Sequence, residues 1–144
     1  MLNQKTCSII QTILSDLEKE KIMTKRNIVH VEFSSSNLEE SGKFYHELFG
    51  WKITPVPEMS YSLWEAGDGS GGGFNPLGGY TKPGDVLVYV DSDDIEADLK
   101  KAKSLGATIV QEKHEIPGQG WFGIFKDKTG NMVALYTDRH SDKE

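Results

Sequence analysis

Apolar and polar residues alternate along residues 27–33, which read NIVHVEF. Three apolar side chains fall on one face of the strand that this pattern predicts: Val29, Val31 and Phe33. Ile28, His30 and Glu32 fall on the other face, because successive strand residues point to opposite sides of a sheet. The pattern therefore predicts a strand that buries one face and carries a histidine and a carboxylate together on the other.

The segment has a counterpart later in the chain. Residues 28–40 (IVHVEFSSSNLEE) align with residues 85–97 (DVLVYVDSDDIEA), and each copy continues into an amphipathic helix, a strand and a hairpin of two more strands. An internal repeat of this kind decides the fold. The sequence predicts an α+β domain of two β-α-β-β-β modules over residues 27–137, with module 1 at 27–78 and module 2 at 84–137.

The helix boundaries follow from capping residues. Ser36 or Asn37 is expected to cap the first helix and Asp93 the second, because short polar side chains accept hydrogen bonds from the free N–H groups of a first turn. Gly50 and Gly106 are expected to end the helices, since glycine readily adopts the left-handed conformation after a last turn. Between the strands of the first hairpin, GSGGGF lacks the Gly-Lys-Ser/Thr of a phosphate loop. Its glycines instead predict a bulge or a close approach to another backbone.

A helix covers one face of each four-stranded sheet, which sorts the first-strand residues of both modules. The residues expected under the helices are Val29, Val31, Phe33, Val86, Val88 and Val90. The uncovered face is expected to carry His30, Glu32, Leu87 and Tyr89. Two curved sheets arranged in this way would enclose a cleft, and small ligands bind in clefts of this kind.

Residues 1–26 differ from the repeat. Five aliphatic residues at helical spacing predict an amphipathic helical extension: Ile9, Ile10, Ile13, Leu14 and Leu17. This helix is expected to pack on the domain or on a second subunit. Alternatively, the segment is not native and translation starts at Met23, just before the first strand. Residues 138–144 form a short tail.

Composition narrows the function. The formal net charge of −6, with no cluster of Lys and Arg, argues against a nucleic-acid surface. No apolar run is long enough to span a membrane. The single cysteine, Cys7, excludes an internal disulfide and a cysteine-based zinc site, and favours a cytoplasmic protein.

Several motifs together resemble the vicinal oxygen chelate superfamily, which includes glyoxalase I, extradiol dioxygenases and bleomycin-resistance proteins. The segments are FYHELFGWKI, GGGF, DDIEADLKKAKSLGATIV and IPGQGWFGIFKDKTGNMVALY, and the nearest subgroup is a glyoxalase-related one. The resemblance implies a metal site with two ligands from each module. His30 matches the first ligand position, but Leu87 and Ala134 occupy two others, and the fourth falls near Phe74 or Asn75. Since a catalytic zinc site needs three protein ligands, we expect no bound metal and no other cofactor.

His30 then has three interpretations: a polar residue that contacts a ligand, a general base oriented by Glu32, or a metal ligand. Trp121 follows the loop at residues 117–120, which is expected to fold over the mouth of the cleft. The predicted ligand-binding residues are His30, Glu32, Asn75, Leu87, Tyr89, Trp121, Ala134 and Tyr136. His46, His114 and His140 are expected at the surface.

The sequence thus predicts a glyoxalase-like protein that binds a small molecule without the family metal, with a homodimer as the expected assembly. One alternative is a lyase or isomerase with His30 as base and Glu32 as its partner. A second alternative is a metal-dependent glyoxalase or dioxygenase.

Overall fold

A computed structural model describes residues 4–22, 25–76 and 79–140 of the chain. Its helices are α1 (Gln4–Ile22), α2 (Leu38–Phe49) and α3 (Ile95–Ser104), with one turn of 3₁₀ helix at Pro57–Met59. Its strands are β1 (Ile28–Ser35), β2 (Lys52–Val56), β3 (Tyr61–Glu65), β4 (Gly71–Pro76), β5 (Val86–Asp91), β6 (Thr108–Ile116), β7 (Gly120–Lys126) and β8 (Met132–Asp138). The order of elements confirms the predicted α+β fold of two β-α-β-β-β modules.

All eight strands form one sheet, in the order β2-β3-β4-β1-β5-β8-β7-β6. The first strands of the two modules, β1 and β5, pair antiparallel at its centre. The prediction of two separate sheets is therefore wrong in this respect, because the modules join edge to edge through backbone hydrogen bonds. Both helices of the modules lie on one side of the sheet, and we name the other side the open face.

The helix ends follow the capping residues closely. The Asn37 side chain accepts a hydrogen bond from the backbone N–H of Glu40, and Gly50 ends α2 in the left-handed region with φ of 73°. In the second module Asp94, and not the predicted Asp93, caps α3 by accepting from the N–H of Ala97. Both are aspartates in one acidic run, so the sequence pattern alone does not separate them.

The helix side of the sheet holds most of the core. In module 1 the Phe33 ring stacks on three aromatic rings, those of Tyr45, Trp64 and Phe74. In module 2, Ile95 and Leu99 of α3 pack with Leu135 of β8, and Val90 lies against them. These contacts anchor each helix on its half of the sheet and leave the open face available for other chemistry.

The predicted alternation fails at the start of β1. An irregularity in the register between Ile28 and His30 puts Ile28 opposite Val90, so that both Ile28 and Val29 are exposed. Val86, at the start of β5, is exposed as well. The expectation that Val29 and Val86 pack under the helices is therefore wrong.

The N-terminal helix is present as predicted, and its apolar residues up to Leu14 are exposed: Ile9, Ile10, Ile13 and Leu14. The Leu17 side chain, Met23 and residues 141–144 of the tail lie outside the described part of the chain, so a start at Met23 stays a prediction. Within the described residues, no helix is both long and apolar enough to cross a membrane.

Candidate functional site

Glu32 lies at the centre of the open face, where β1 and β5 pair. Only 7% of the residue is exposed to solvent, and its carboxylate accepts three hydrogen bonds. The Tyr61 hydroxyl donates to Oε2 at 2.7 Å, and the Tyr89 hydroxyl and Asn75 Nδ2 donate to Oε1 at 3.0 and 3.3 Å. A buried carboxylate is costly unless it is hydrogen-bonded. The three donors, from β3, β4 and β5, therefore stabilise the buried carboxylate of Glu32 and hold it in place.

His30 lies beside this carboxylate and is more accessible, with 27% of its side chain exposed. Its Nε2 is 2.7 Å from the Tyr61 hydroxyl and 3.8 Å from Glu32 Oε2. The prediction that Glu32 orients His30 therefore needs one change, since the Tyr61 hydroxyl lies between the two groups. The Tyr61 ring meets the imidazole end to end through this contact, with the two planes 19° apart and the centroids 6.3 Å apart, and the Tyr89 ring meets the imidazole edge-on at 5.1 Å.

Both tyrosines remain protonated over the ordinary pH range. Burial raises the pKa of Tyr61 far above its usual value, and the negative charge of Glu32 and the hydrogen bond to it act in the same direction. The pKa of Tyr89 is raised by the same causes in the same order. The two phenols therefore act as hydrogen-bond donors to Glu32 and not as bases.

The glycines of β4 make room for aromatic side chains of β3. A Cβ atom at Gly72 would lie 1.8 Å from the Val31 carbonyl oxygen and 2.7 Å from the Trp64 indole, so the predicted close approach to another backbone is confirmed there. A Cβ at Gly73 would lie 1.8 Å from the Tyr61 hydroxyl oxygen. Tyr61 therefore crosses β4 at Gly73 to reach Glu32 and His30.

On module 2 the open face is apolar and tightly packed. Leu87, Tyr89, Ile124 and Ala134 form one buried cluster, against which Tyr136 packs. Leu87 is 1% exposed and Ala134 0% exposed. Both residues thus lie inside this buried cluster, and their role in lining a ligand site remains a prediction. Tyr136 donates its hydroxyl proton to the backbone oxygen of Gln119.

Trp121 is on the wrong side of the sheet for the predicted role. It packs against the Ile95–Leu99–Leu135 cluster on the helix side. Lys113 Nζ and Arg139 Cζ each lie 5.5 Å from the centre of its ring. The side chain therefore does not cover the open face, because the residue after the loop has the opposite strand parity to Phe122 and Ile124.

The residues present do not fit the metal site that the resemblance implies. Two of its ligand positions hold Leu87 and Ala134, and the three other histidines, His46, His114 and His140, are exposed as expected. Within the described ranges, no three His, Cys, Asp or Glu side chains lie together in a way that could hold a metal ion.

Two cavities flank the site. One of about 800 Å³ lies between α2 and the β2–β3 strands and reaches Tyr61. The other, of about 640 Å³, lies between the segment 79–86 and the ends of β7 and β8, and its lining includes Leu87 and Met132. Leu87 is the cross-strand partner of Glu32. The second cavity therefore comes within one strand of Glu32 at Leu87, although its lining contains none of the polar residues of the site.

Sequence reasoning placed four predicted residues together correctly: His30, Glu32, Asn75 and Tyr89. It missed Tyr61 and Gly73. A signal for both exists in the hairpin, because β3 carries Tyr61 and Trp64 on opposite faces and pairs with a strand that begins with three glycines. Large aromatic side chains beside a run of glycines predict side chains that lie across the neighbouring strand.

The comparisons with known proteins agree with this architecture. A solved member of the glyoxalase/bleomycin resistance protein/dioxygenase superfamily from Vibrio splendidus has a TM-score of 0.59 and 13% identity, covering 76% of this chain and 97% of that chain. Methylmalonyl-CoA epimerase from Mycobacterium tuberculosis has a TM-score of 0.60 and 15% identity, covering 78% and 87%. The Mn(II)-bound glyoxalase from Novosphingobium aromaticivorans has a TM-score of 0.60 and 13% identity, covering 81% and 40%. Identities this low establish the fold alone.

Comparison with curated protein sequences finds no match. The model of one family, described as the glyoxalase/bleomycin resistance protein/dioxygenase superfamily, matches residues 27–135, which contain the first seven strands, the first half of β8 and the polar residues around Glu32. The chain therefore belongs to the glyoxalase/bleomycin resistance protein/dioxygenase superfamily.

Proposed function

We propose that the protein binds a small organic molecule on the open face, over His30, without the metal ion that metal-dependent members of the superfamily use. The observation that carries this proposal is the buried carboxylate of Glu32, which is fully engaged by Tyr61, Tyr89 and Asn75 beside a partly exposed histidine. These groups form a rigid polar site on an otherwise apolar face. Ligand sites in proteins combine an apolar lining with a few fixed polar groups in this way.

The second cavity supplies the space. Its volume of about 640 Å³ is in the range that holds a small ligand. Leu87 belongs to its lining and is paired with Glu32 across the two central strands. We propose that a ligand held in this cavity extends past Leu87 toward His30.

The metal-free part of the proposal rests on the ligand positions. Even a lost partner outside the ligand set lowers metal affinity about 10–100-fold, and here Leu87 and Ala134 offer no donor atom at two of the four positions. Glu32, the carboxylate nearest to His30, is already held by three donors. A metal at His30 would have to displace them.

A second candidate is an enzyme that moves a proton, and the contact between Tyr61 and His30 favours it. A histidine that is held by a hydrogen bond at one ring nitrogen can accept a substrate proton at the other. Glu32 would stabilise the resulting imidazolium through its charge and through Tyr61. The reaction class would be a lyase or isomerase that removes a proton next to a carbonyl group and returns it to the enolate.

A thermal-shift screen of small metabolites tests the first proposal, because a ligand that binds the folded state alone raises the apparent stability, by about 2.7 kcal/mol at 100 times its Kd. We expect at least one compound to raise the melting temperature of the wild type and to have less effect on His30→Ala. Deuterium exchange from solvent into that compound separates the candidates. A binding protein gives no exchange, whereas an enzyme gives exchange that His30→Ala abolishes while binding persists.

Elemental analysis of the purified protein tests the metal-free part. Stoichiometric zinc, nickel, manganese or iron would refute it and would favour a metal-dependent glyoxalase or dioxygenase.

The expected homodimer and the cytoplasmic location remain proposals. Exposed apolar side chains on α2, such as Phe44 and Leu48, support a second copy as partner, and the exposed single thiol of Cys7 is compatible with a reducing compartment. Light scattering on the purified full chain would reveal the mass of the assembly, and a monomeric mass would refute the dimer.

A further inference from the structure

We propose that Tyr61 fixes His30 in the tautomer with the proton on Nε2, so that Nδ1 is a hydrogen-bond acceptor, and that the ligand of the open face is a neutral or cationic molecule presenting an O–H or N–H group. The ligand part of this inference rests on the proposed binding function. The tautomer part rests on the geometry alone.

The tautomer follows from counting protons. A phenol has one hydroxyl hydrogen, and the Tyr61 hydroxyl donates it to Glu32 Oε2 at 2.7 Å. The Tyr61 oxygen is also 2.7 Å from His30 Nε2. Since that oxygen has no second hydrogen to give, Nε2 must carry the proton of this contact. In the neutral imidazole Nδ1 is then unprotonated.

Glu32, and not His30, is the acceptor that requires the Tyr61 hydrogen. Tyr89 and Asn75 already donate to Oε1 of Glu32, so Oε2 depends on Tyr61. An ionised carboxylate has no proton to donate in return. Burial and the charge of Glu32 also keep the Tyr61 phenol protonated by raising its pKa. In this series of hydrogen bonds, His30 therefore donates to Tyr61 and Tyr61 donates to Glu32.

The ring of His30 is also held in place. The Tyr61 hydroxyl holds the imidazole at Nε2, with the planes of the two rings 19° apart, and the Tyr89 ring meets the imidazole at 89°. Among the described residues, Nδ1 has no hydrogen-bond partner, although the side chain is partly exposed. An acceptor that is oriented and unpaired in this way selects a ligand that brings a donor.

The charge of the ligand follows from Glu32. Its carboxylate oxygen lies 3.8 Å from His30 Nε2, inside a largely buried site where screening by water is weak. An anionic ligand at neutral His30 would meet both a lone pair and a nearby negative charge. A neutral or cationic donor meets neither obstacle.

Nuclear magnetic resonance of the ¹⁵N-labelled full chain at about pH 8, where ordinary histidines are neutral, tests the tautomer. We expect His30 to give the pattern of an Nε2-protonated ring. His46 is an internal reference of the opposite kind, because its Nδ1 lies 2.8 Å from the Trp51 carbonyl oxygen, which can only accept. An Nδ1-protonated His30 in the wild type would overturn the proposal.

Variants test the role of Tyr61 as a positioning residue. In Tyr61→Phe we expect His30 to lose its single-tautomer pattern and to become a mixture, whereas Tyr89→Phe, which keeps the Tyr61 contact, should leave the Nε2-protonated form. Tyr45→Phe is the matched control on the helix side of the sheet. If the His30 pattern is the same in Tyr61→Phe as in the wild type, Tyr61 does not fix the tautomer. The wild-type measurement decides the tautomer even where a variant fails to fold.

Two probes that share a phenyl ring test the ligand class. Phenol and benzoate, each titrated into the labelled protein, differ in offering a donor or a negative charge. We expect phenol to shift the His30 Nδ1 resonance and benzoate to leave it unchanged. A shift with benzoate alone, or with neither probe, overturns the ligand class but leaves the tautomer standing. By contrast, a metabolite screen without any binder would refute the proposed function while the tautomer result stayed unaffected.

Discussion

Replacing Gly73 by alanine should displace the Tyr61 side chain and so disrupt the open-face site. The added Cβ would lie 1.8 Å from the Tyr61 hydroxyl oxygen and 2.1 Å from the ring carbon that carries it. Contacts of this length do not occur, so the Tyr61 side chain must move by more than 1 Å. Since its hydrogen bonds to Glu32 and His30 are both 2.7 Å long, a movement of this size removes both.

The expected cost is the loss of a hydrogen bond to a buried charge. Such bonds contribute about 1.5–3 kcal/mol, and repacking of a crowded site adds about 1 kcal/mol or more. We therefore expect Gly73→Ala to lower the free energy of unfolding by about 2–4 kcal/mol. For a chain of this length that corresponds to a fall in melting temperature of roughly 10 °C.

Urea unfolding of Gly73→Ala, with Gly67→Ala as control, measures this cost. Gly67 is in the same hairpin, has no atom within 4 Å of a built Cβ and has no strained backbone conformation. We expect Gly67→Ala to be neutral or slightly stabilising, because alanine restricts the unfolded chain. A double-mutant cycle with Tyr61→Ala should show that Gly73→Ala costs less than about 1 kcal/mol once the phenol is gone. A Gly73→Ala protein as stable as the control would refute the crossing of Tyr61 over β4.

Three further outcomes follow from the same contacts. Tyr89→Phe should lower the free energy of unfolding by about 1.5–3 kcal/mol, because Glu32 Oε1 loses a donor in a buried site; a loss below about 0.5 kcal/mol in urea unfolding would contradict this. At alkaline pH, stability should fall, because burial raises the pKa of Tyr61 and Tyr89 in the folded chain. Above the ordinary tyrosine pKa of about 10, the unfolded chain releases two protons that the folded chain keeps. The free energy of unfolding then drops by about 2.7 kcal/mol per pH unit. That contribution is fully present below about pH 10, and Tyr61→Phe should halve the slope measured by urea unfolding at several pH values. Removal of residues 1–22 should change stability by less than about 0.5 kcal/mol, since the apolar residues of α1 up to Leu14 are exposed; a calorimetric loss above about 1 kcal/mol would show that the helix packs on the domain.

Much of the fold follows from the sequence because the repeat is strong. The alternation in residues 27–33 and its counterpart in module 2 predict both central strands, and the caps predict both module helices. Local pattern does not decide how the two four-stranded units meet. Edge-to-edge pairing of β1 with β5 depends on backbone hydrogen bonds, which any two strands can form, so no side-chain pattern separates it from stacked sheets.

The candidate site was predicted in part for a similar reason. Strand parity places His30, Glu32 and Tyr89 on one face, and the structure joins them. Parity also assigns Trp121 to the helix side, but the sequence prediction placed it by its neighbouring loop. Tyr61 was missed because it lies on β3, two strands away from Glu32 in the order of the sheet, and its contact depends on the absence of a side chain at Gly73 of the strand between them.

The antiparallel pairing of β1 with β5 explains why the repeat located the site but not its chemistry. In the repeat alignment His30 corresponds to Leu87, and Glu32 to Tyr89. In the sheet His30 is paired with Tyr89, and Glu32 with Leu87, as expected where two similar units meet about a local two-fold axis. Each cross-strand pair therefore combines a residue from one of these two repeat positions with a residue from the other. Because the residues differ between the modules, the pair of His30 with Tyr89 is polar at both positions, whereas Leu87 gives Glu32 no donor. The carboxylate must take its donors from elsewhere, and Tyr61 reaches it across the glycine strand. Replacing a single glycine in that strand should therefore affect the candidate site as strongly as replacing one of its polar residues.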